Sequence, residues 1–160
     1  MKNKLKEVVI VSAIRTPIGS YRGSLKDMRS DQHGSVVINE VLKKSKIVND
    51  EIDEVIMGQV LTAGAGQNPA RQAAINAGIP ISKPAHIINQ VCGSGLRAVI
   101  SGYQSIKLGE SKNVISGGQE SMSLAPHSIF YRDEKKISED KLLDTMVNDG
   151  LIDAFNNYHM

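Results

Sequence analysis

The sequence has a single cysteine, Cys92, in 160 residues. That excludes an intramolecular disulfide and any cysteine-rich zinc site, and it points to a reducing compartment. It has little net charge: 19 Lys and Arg stand against 17 Asp and Glu, a formal +2, far from the basic stripe of a nucleic-acid binder. It has no apolar stretch near the roughly 20 residues that a membrane-spanning helix needs. Glycine and proline are modest at 14 and 5 residues, with 41% of the chain apolar and 22% charged. Collagen, coiled coil and disorder are thereby excluded, and an ordinary globular composition remains. A chain of this length buries roughly 70% of the surface its unfolded form exposes, so it folds without a disulfide or metal staple. Lys2, Lys4 and Lys6 precede the apolar run Val8 to Val11 as in a secretory signal, but Glu7 interrupts the basic stretch and the run stops by Arg15. No small-residue cleavage site follows, so a cytoplasmic protein is expected, with neither nucleic acid nor membrane as partner.

Along the chain, strands and helices alternate. Glu7 to Ala13 is a β-branched apolar run ended by Arg15-Thr16-Pro17-Ile18-Gly19, which predicts a first strand buried on both faces. Apolar residues then fall at Val37, Ile38, Val41 and Leu42, the spacing of an amphipathic helix from about Asp31 to Lys44. Glu54 to Val60 predicts a second strand. Asn68-Pro69 supplies an N-cap followed by proline at the first helical position, so a helix runs to about Ala77 and Gly78 closes it. His86 to Val91 predicts a third strand, Leu96, Val99, Ile100 and Tyr103 a helix that Gly109 stops, and Val114 to Ser116 a fourth strand. Such alternation predicts an α/β fold, its sheet largely parallel, covered by helices on both faces and joined by right-handed crossovers. Beyond Gly118 the pattern dissolves. Arg132 to Lys141 carries four positive and four negative side chains and reads as a solvated surface segment, and Leu142, Leu143, Met146 and Val147 suggest a short helix before Gly150.

The chemistry concentrates at Asn89-Gln90-Val91-Cys92-Gly93-Ser94-Gly95, which sets the only thiol between a predicted strand end and a predicted helix start. Unpaired N–H groups of a first helical turn and the positive end of the helix dipole favour a thiolate, the attacking species, over a thiol. Glycines at 93 and 95 leave room for backbone and a reacting carbonyl. A cysteine on such a turn is the thiol counterpart of the serine nucleophile elbow. Two rivals stand beside this reading. Cys92 could be one more small buried apolar residue, or Gly93-x-Gly95-x-x-Ala98 could be a dinucleotide fingerprint with Glu120 as ribose ligand. The fingerprint would seat a pyrophosphate where the nucleophile sits, and two predicted strands already precede a unit that usually comes first. His33 and His127 read as solvated and His86 as packed. Glu120 and Gln119 read as holding a loop, and Arg15 and Arg71 as structural pairing partners.

The stretch around Cys92 resembles the active-site segment of thiolases, the family of acetyl-CoA acetyltransferases and 3-ketoacyl-CoA thiolases. Glu7 to Gly19 is similar to that family's first strand and loop, Gly64-Ala65-Gly66-Gln67-Asn68-Pro69-Ala70-Arg71-Gln72 to its second Gly-rich segment, and Gly117-Gly118-Gln119-Glu120-Ser121-Met122-Ser123 to its third. Asp149 to Phe155 and Asn157-Tyr158-His159-Met160 resemble a segment of the biosynthetic members, an ending that favours short acyl chains. Gln119, where Met is frequent, departs from the pattern.

The resemblance implies that Cys92 carries an acyl group as a thioester, that His159 contacts the pantetheine arm of coenzyme A and that Met160 lines the acyl pocket. It implies a thiolase-like mixed sheet cut to the family's N-terminal half, with residues 1–120 forming the α/β domain and 121–160 the incomplete opening of a loop domain. Acyl-CoA and coenzyme A are the expected partners, as substrate and product, with no metal and no redox cofactor. A homo-oligomer, or a second chain supplying the missing half, is also expected. The family's Gly-His-Pro histidine and Cys-x-Gly-Gly-Gly cysteine do not occur in these 160 residues, so the chain has a nucleophile and no base and is expected to be inactive alone. The alternatives are a related decarboxylating condensing enzyme and a catalytically silent partner module.

Overall fold

The computed structural model describes residues 7–132 and 142–160; the basic start at 1–6 and most of the charged stretch, 133–141, lie outside them. Three parallel strands form the central sheet: β1 (Glu54–Gly58), β2 (Ala85–Ile88) and β3 (Val114–Gly118), in the order β2-β1-β3. Register runs Val55 against Ala85 on one side of β1 and Val55 against Ile115 on the other. The chain leaves β1 for one neighbour and returns across it to the other. Right-handed crossovers then require the two connecting helices to cover opposite faces.

One face carries α1 (Ser30–Ser45) and α2 (Pro69–Asn76), which pack on each other. Ile38 and Leu42 of α1, one helical turn apart, meet Ala70, Ala73 and Ala74 of α2 and the sheet residues Val55, Met57 and Ile115 in one buried cluster. Burying a side chain such as Ile38, 1% exposed, contributes about 1.5–3 kcal/mol. The start of α2 is fixed as its sequence implies. Asn68 accepts the Arg71 N–H at 3.1 Å and Pro69 follows it, which satisfies one donor of the first turn and needs none from the proline.

The other face carries α3 (Ser94–Leu108). Leu96, Val99, Ile100 and Tyr103, the apolar stripe of the sequence, are exposed by 38% or more. The buried side is the row of small residues Ser94, Ala98, Gly102 and Ser105. Closeness is the reason: a Cβ on Gly58 would stand 2.4 Å from the Gly95 nitrogen, and one on Gly102 2.4 Å from the Ser116 hydroxyl. The helix lies too near the sheet for large side chains between them. Gly109, at φ +82°, ends it as expected.

The predicted first strand is not formed. Residues 7–20 belong to no strand, and Val9, Ile10 and Val11 are 65%, 79% and 65% exposed. A cavity of about 1030 Å³ lies between this segment and β3, lined by residues 7–21 on one side and by Val114 to Gln119 on the other. A strand in a sheet lies within about 4.8 Å of its neighbour, so a β-branched apolar run held off by such a gap has the composition of a strand without its ladder. The C-terminal segment is also only partly as predicted. Leu143 and Asp144 form β5, which pairs antiparallel with β4 (His127–Ser128), and the helix α4 is Thr145–Gly150. Asp144 caps α4 by accepting the Met146 and Val147 N–H groups at 2.9 and 3.3 Å.

Candidate active-site turn

The ends of all three parallel strands converge where ligands bind in open α/β sheets, beyond the carboxyl edge. β1 runs into Gln59-Val60-Leu61, β2 into Asn89 to Gly93, and β3 into Gln119-Glu120. Hydrogen bonds tie these ends together. The Gln59 N–H donates to the Ile88 carbonyl at 3.1 Å and the Gln119 N–H to the Gly58 carbonyl at 3.0 Å. The buried Gln119 carboxamide donates to that of Gln59 at 2.9 Å, which in turn donates to the Leu61 carbonyl at 2.7 Å.

Glu120 spans two of the strand ends. Its two oxygens accept the Val60 and Leu61 N–H groups at 2.8 and 3.2 Å. Burial pushes its carboxyl above the usual value, with these backbone donors and that of Ser121 opposing the rise. The expectation that Glu120 holds a loop is met, and its oxygens are taken up by backbone where a ribose ligand would need them. β2, the strand before Gly93-x-Gly95-x-x-Ala98, lies at the sheet edge, whereas the dinucleotide fingerprint follows the first, central strand of its fold.

Cys92 is exposed on this turn, two residues before α3 begins. It is therefore not the buried apolar cysteine of the first rival reading. Val91, immediately before it, has φ +49°, left-handed backbone that a β-branched residue avoids and that costs of order 1–3 kcal/mol. Strain of this size persists only where the surroundings impose it, and it clusters at functional positions. The Gly93 and Ser94 N–H groups are used inside the turn, bonded to the Gln90 and Val91 carbonyls at 3.0 and 3.1 Å. Gly93 is the N-cap of α3 and makes no side-chain capping hydrogen bond, so the positive end of this 15-residue helix is not capped by its own N-cap residue.

His159 and Met160 sit elsewhere in the chain, on a turn built by Asp153. That carboxylate accepts the Phe155 and Asn156 N–H groups at 3.0 and 2.6 Å, which hold it below its usual range. Ile152 bridges to His159, and the Met160 N–H donates to the Leu151 carbonyl at 3.1 Å. The His159 Nδ1 lies 2.7 Å from the Met160 carbonyl. Both side chains are exposed.

Arg71 donates to the Ile81 and Lys83 carbonyls and pins the double-proline loop before β2. His86, expected to be packed, has a side chain 47% exposed beside Glu54 at 3.4 Å, because β2 is an edge strand. His127 is exposed, whereas His33 is half-buried on α1 and not fully solvated. Among the described residues no group of three or more His, Cys, Asp or Glu side chains is placed to hold a metal ion, and no helix is long and apolar enough to cross a membrane. The sequence reading missed the left-handed Val91 and the side chains of Asn89 and Ser94 that bond around it. Only the polar residues two before and three after Val91 could have signalled that turn, as Asx and Ser/Thr turns do.

A family model for the N-terminal domain of thiolase matches residues 8–160. The chain belongs to the thiolase family. The Paracoccus denitrificans protein named acetyl-CoA acetyltransferase is 51% identical over 156 residues, 98% of this chain and 40% of that protein. The Chromobacterium violaceum protein of the same name is 54% identical over 155 residues, 96% of this chain and 40% of the relative. The rat protein named cytosolic acetyl-CoA acetyltransferase is 52% identical over 153 residues, 96% and 38%. The chain therefore spans about two fifths of the length of these curated relatives. The parallel sheet with its covering helices lies within the stretch matched by the N-terminal thiolase domain model.

Proposed function

We propose that this chain supplies the nucleophile of a thiolase-type acyl transfer, with Cys92 as the acyl carrier and short acyl-CoA thioesters and coenzyme A as substrates and products. The exposed thiol on a strained turn at a helix start carries this reading, and the names of the relatives, acetyl-CoA acetyltransferase, support the substrate class. In the first step the Cys92 thiolate adds to the thioester carbonyl of acetyl-CoA. A tetrahedral oxyanion forms, its C–S bond to coenzyme A breaks, and the coenzyme A thiolate departs. One thioester replaces another, so the step is near isoenergetic and needs no redox cofactor. The Cys92 backbone N–H is the proposed donor to the oxyanion, since its neighbours' N–H groups are engaged within the turn. In the second step the carbanion of another acetyl-CoA, formed by loss of an α-proton to a base, attacks the acyl-cysteine carbonyl. Acetoacetyl-CoA forms and the Cys92 thiolate leaves.

That base, and the histidine that activates the thiol, belong to motifs that these 160 residues do not contain. The chain is proposed to be inactive alone and to act with polypeptide that carries them. His159 and Met160 are proposed to meet the pantetheine arm and the acyl group. Alkylation by iodoacetamide at neutral pH tests the nucleophile. Folded protein reacts several-fold faster than the same chain unfolded in urea; a Cys92 that reacts only after unfolding contradicts the reading.

A further inference from the structure

The acyl-transfer reading leaves unused two polar side chains that bracket the strained residue. Val91 is held at φ +49°, and left free it would relax to extended backbone and re-aim the Cys92 side chain that follows. Asn89 Oδ1 accepts the Val91 N–H at 3.0 Å. The Ser94 hydroxyl, on a residue only 4% exposed, donates to the Val91 carbonyl at 2.6 Å and accepts the Gln90 N–H at 2.8 Å. Both polar groups of Val91 are thus bonded to side chains, one from each flank of the turn. Asn89 is tied outward as well: its Nδ2 donates to the Val60 carbonyl at 3.5 Å, on the segment whose N–H groups Glu120 accepts. The three strand ends are linked through this side chain to the residue preceding Cys92.

We propose that Ser94 and Asn89 are positioning residues that hold Val91 in the left-handed conformation and thereby fix where Cys92 presents its sulfur. The proposal rests on the nucleophile reading above. Ser94 is not itself an acid or base here, because its proton is committed to the Val91 carbonyl and its oxygen to the Gln90 N–H. The strain and the clamp are complementary: a residue at ease in left-handed backbone would need no clamp. Glycine is that residue, and this makes the proposal distinguishable from a general loss of packing.

The test is iodoacetamide alkylation of Cys92 in the 160-residue chain, with the folded fraction of each variant checked by far-UV circular dichroism. Ser94→Ala and Asn89→Ala should each slow the folded-state reaction about tenfold, while Asn89→Asp, which keeps the acceptor for the Val91 N–H, stays within about threefold. In a Val91→Gly background the loss from Ser94→Ala should shrink to about twofold or less, a coupling that additive effects do not produce. Should Ser94→Ala fail to fold, the Asn89→Ala and Asn89→Asp pair in both backgrounds makes the same comparison. Equal losses in the two backgrounds, or Asn89→Asp as slow as Asn89→Ala, overturn the positioning role. A reactive parent with unaffected variants overturns it too while leaving the nucleophile reading intact, whereas a parent no faster folded than unfolded removes both.

Discussion

Gly58→Ala probes the contact on which the placement of the turn depends. The added Cβ would lie 2.4 Å from the Gly95 nitrogen, 2.4 Å from the Ser94 carbonyl carbon and 2.7 Å from its oxygen. All three are backbone atoms of the first turn of α3, so no side-chain rotation relieves the overlap, and ordinary contact would need the helix start to retreat by about 1 Å. Gly58 lies in the central strand with its neighbours paired on both sides, so the sheet cannot retreat instead. The expected cost is about 3 kcal/mol, the upper part of the range for overpacking. Gly95→Ala is the control. Its Cβ would meet only Gly117 and Gly118 atoms at 3.7–4.0 Å, ordinary contact, and alanine is the better helix former by up to about 1 kcal/mol. That substitution should leave stability unchanged or slightly raised. Equilibrium urea unfolding followed by circular dichroism separates the two. With a slope of about 2 kcal/mol per molar, Gly58→Ala should lower the midpoint by about 1.5 M. A Gly58→Ala midpoint within about 0.3 M (roughly 0.6 kcal/mol) of the parent, or a larger loss from Gly95→Ala, would refute the close approach of α3 to β1.

Three further outcomes are expected. Asn68→Ala, which removes both the cap on the Arg71 N–H and the bond to the Ala85 carbonyl at 2.8 Å, should lower stability by about 1–2 kcal/mol in the same unfolding assay. Asp53 is held below its ordinary value of 3.8, first by the Lys112 N–H, then by that of Asn113. Its ionised form therefore adds stability above that pH, lost as pH falls through the lower folded-state value. With a side chain 36% exposed the effect is screened to under about 1 kcal/mol, and Asp53→Asn should flatten the acid limb of stability measured below pH 4. Acetoacetyl-CoA thiolysis, followed by loss of enolate absorbance with coenzyme A present, should be undetectable with the 160-residue chain alone, since loss of the general base removes roughly 10²–10⁴-fold of rate.

The periodic elements were legible because their causes are local. Asn68-Pro69 and Gly78 bound α2, Gly109 ends α3, and the β-branched runs at Val55 and Ile115 lie in the sheet. The turn at Cys92 was legible as a strand-to-helix junction for the same reason. Long-range packing was not. Leu96, Val99 and Ile100 carry the apolar spacing of α3, yet the sheet takes the face of Ala98 and Gly102, since the distance between helix and sheet is set by Gly58, some forty residues away in sequence. Glu7 to Ala13 has strand composition, but composition does not supply a neighbour to pair with, and the cavity beside β3 separates it from the one available. Val91 was the least legible position. Nothing in a β-branched residue signals left-handed backbone; the hydrogen bonds to Asn89 and Ser94 impose it.

The acyl-carrier role of Cys92 is tested most directly by intact-mass spectrometry of the folded chain mixed with acetyl-CoA and quenched in acid, followed by peptide mapping. A single acetyl adduct on the peptide containing Cys92, discharged by added coenzyme A and absent from Cys92→Ser, is the predicted result. No adduct under conditions where Cys92 reacts with iodoacetamide, or an adduct that persists in Cys92→Ser, would contradict it.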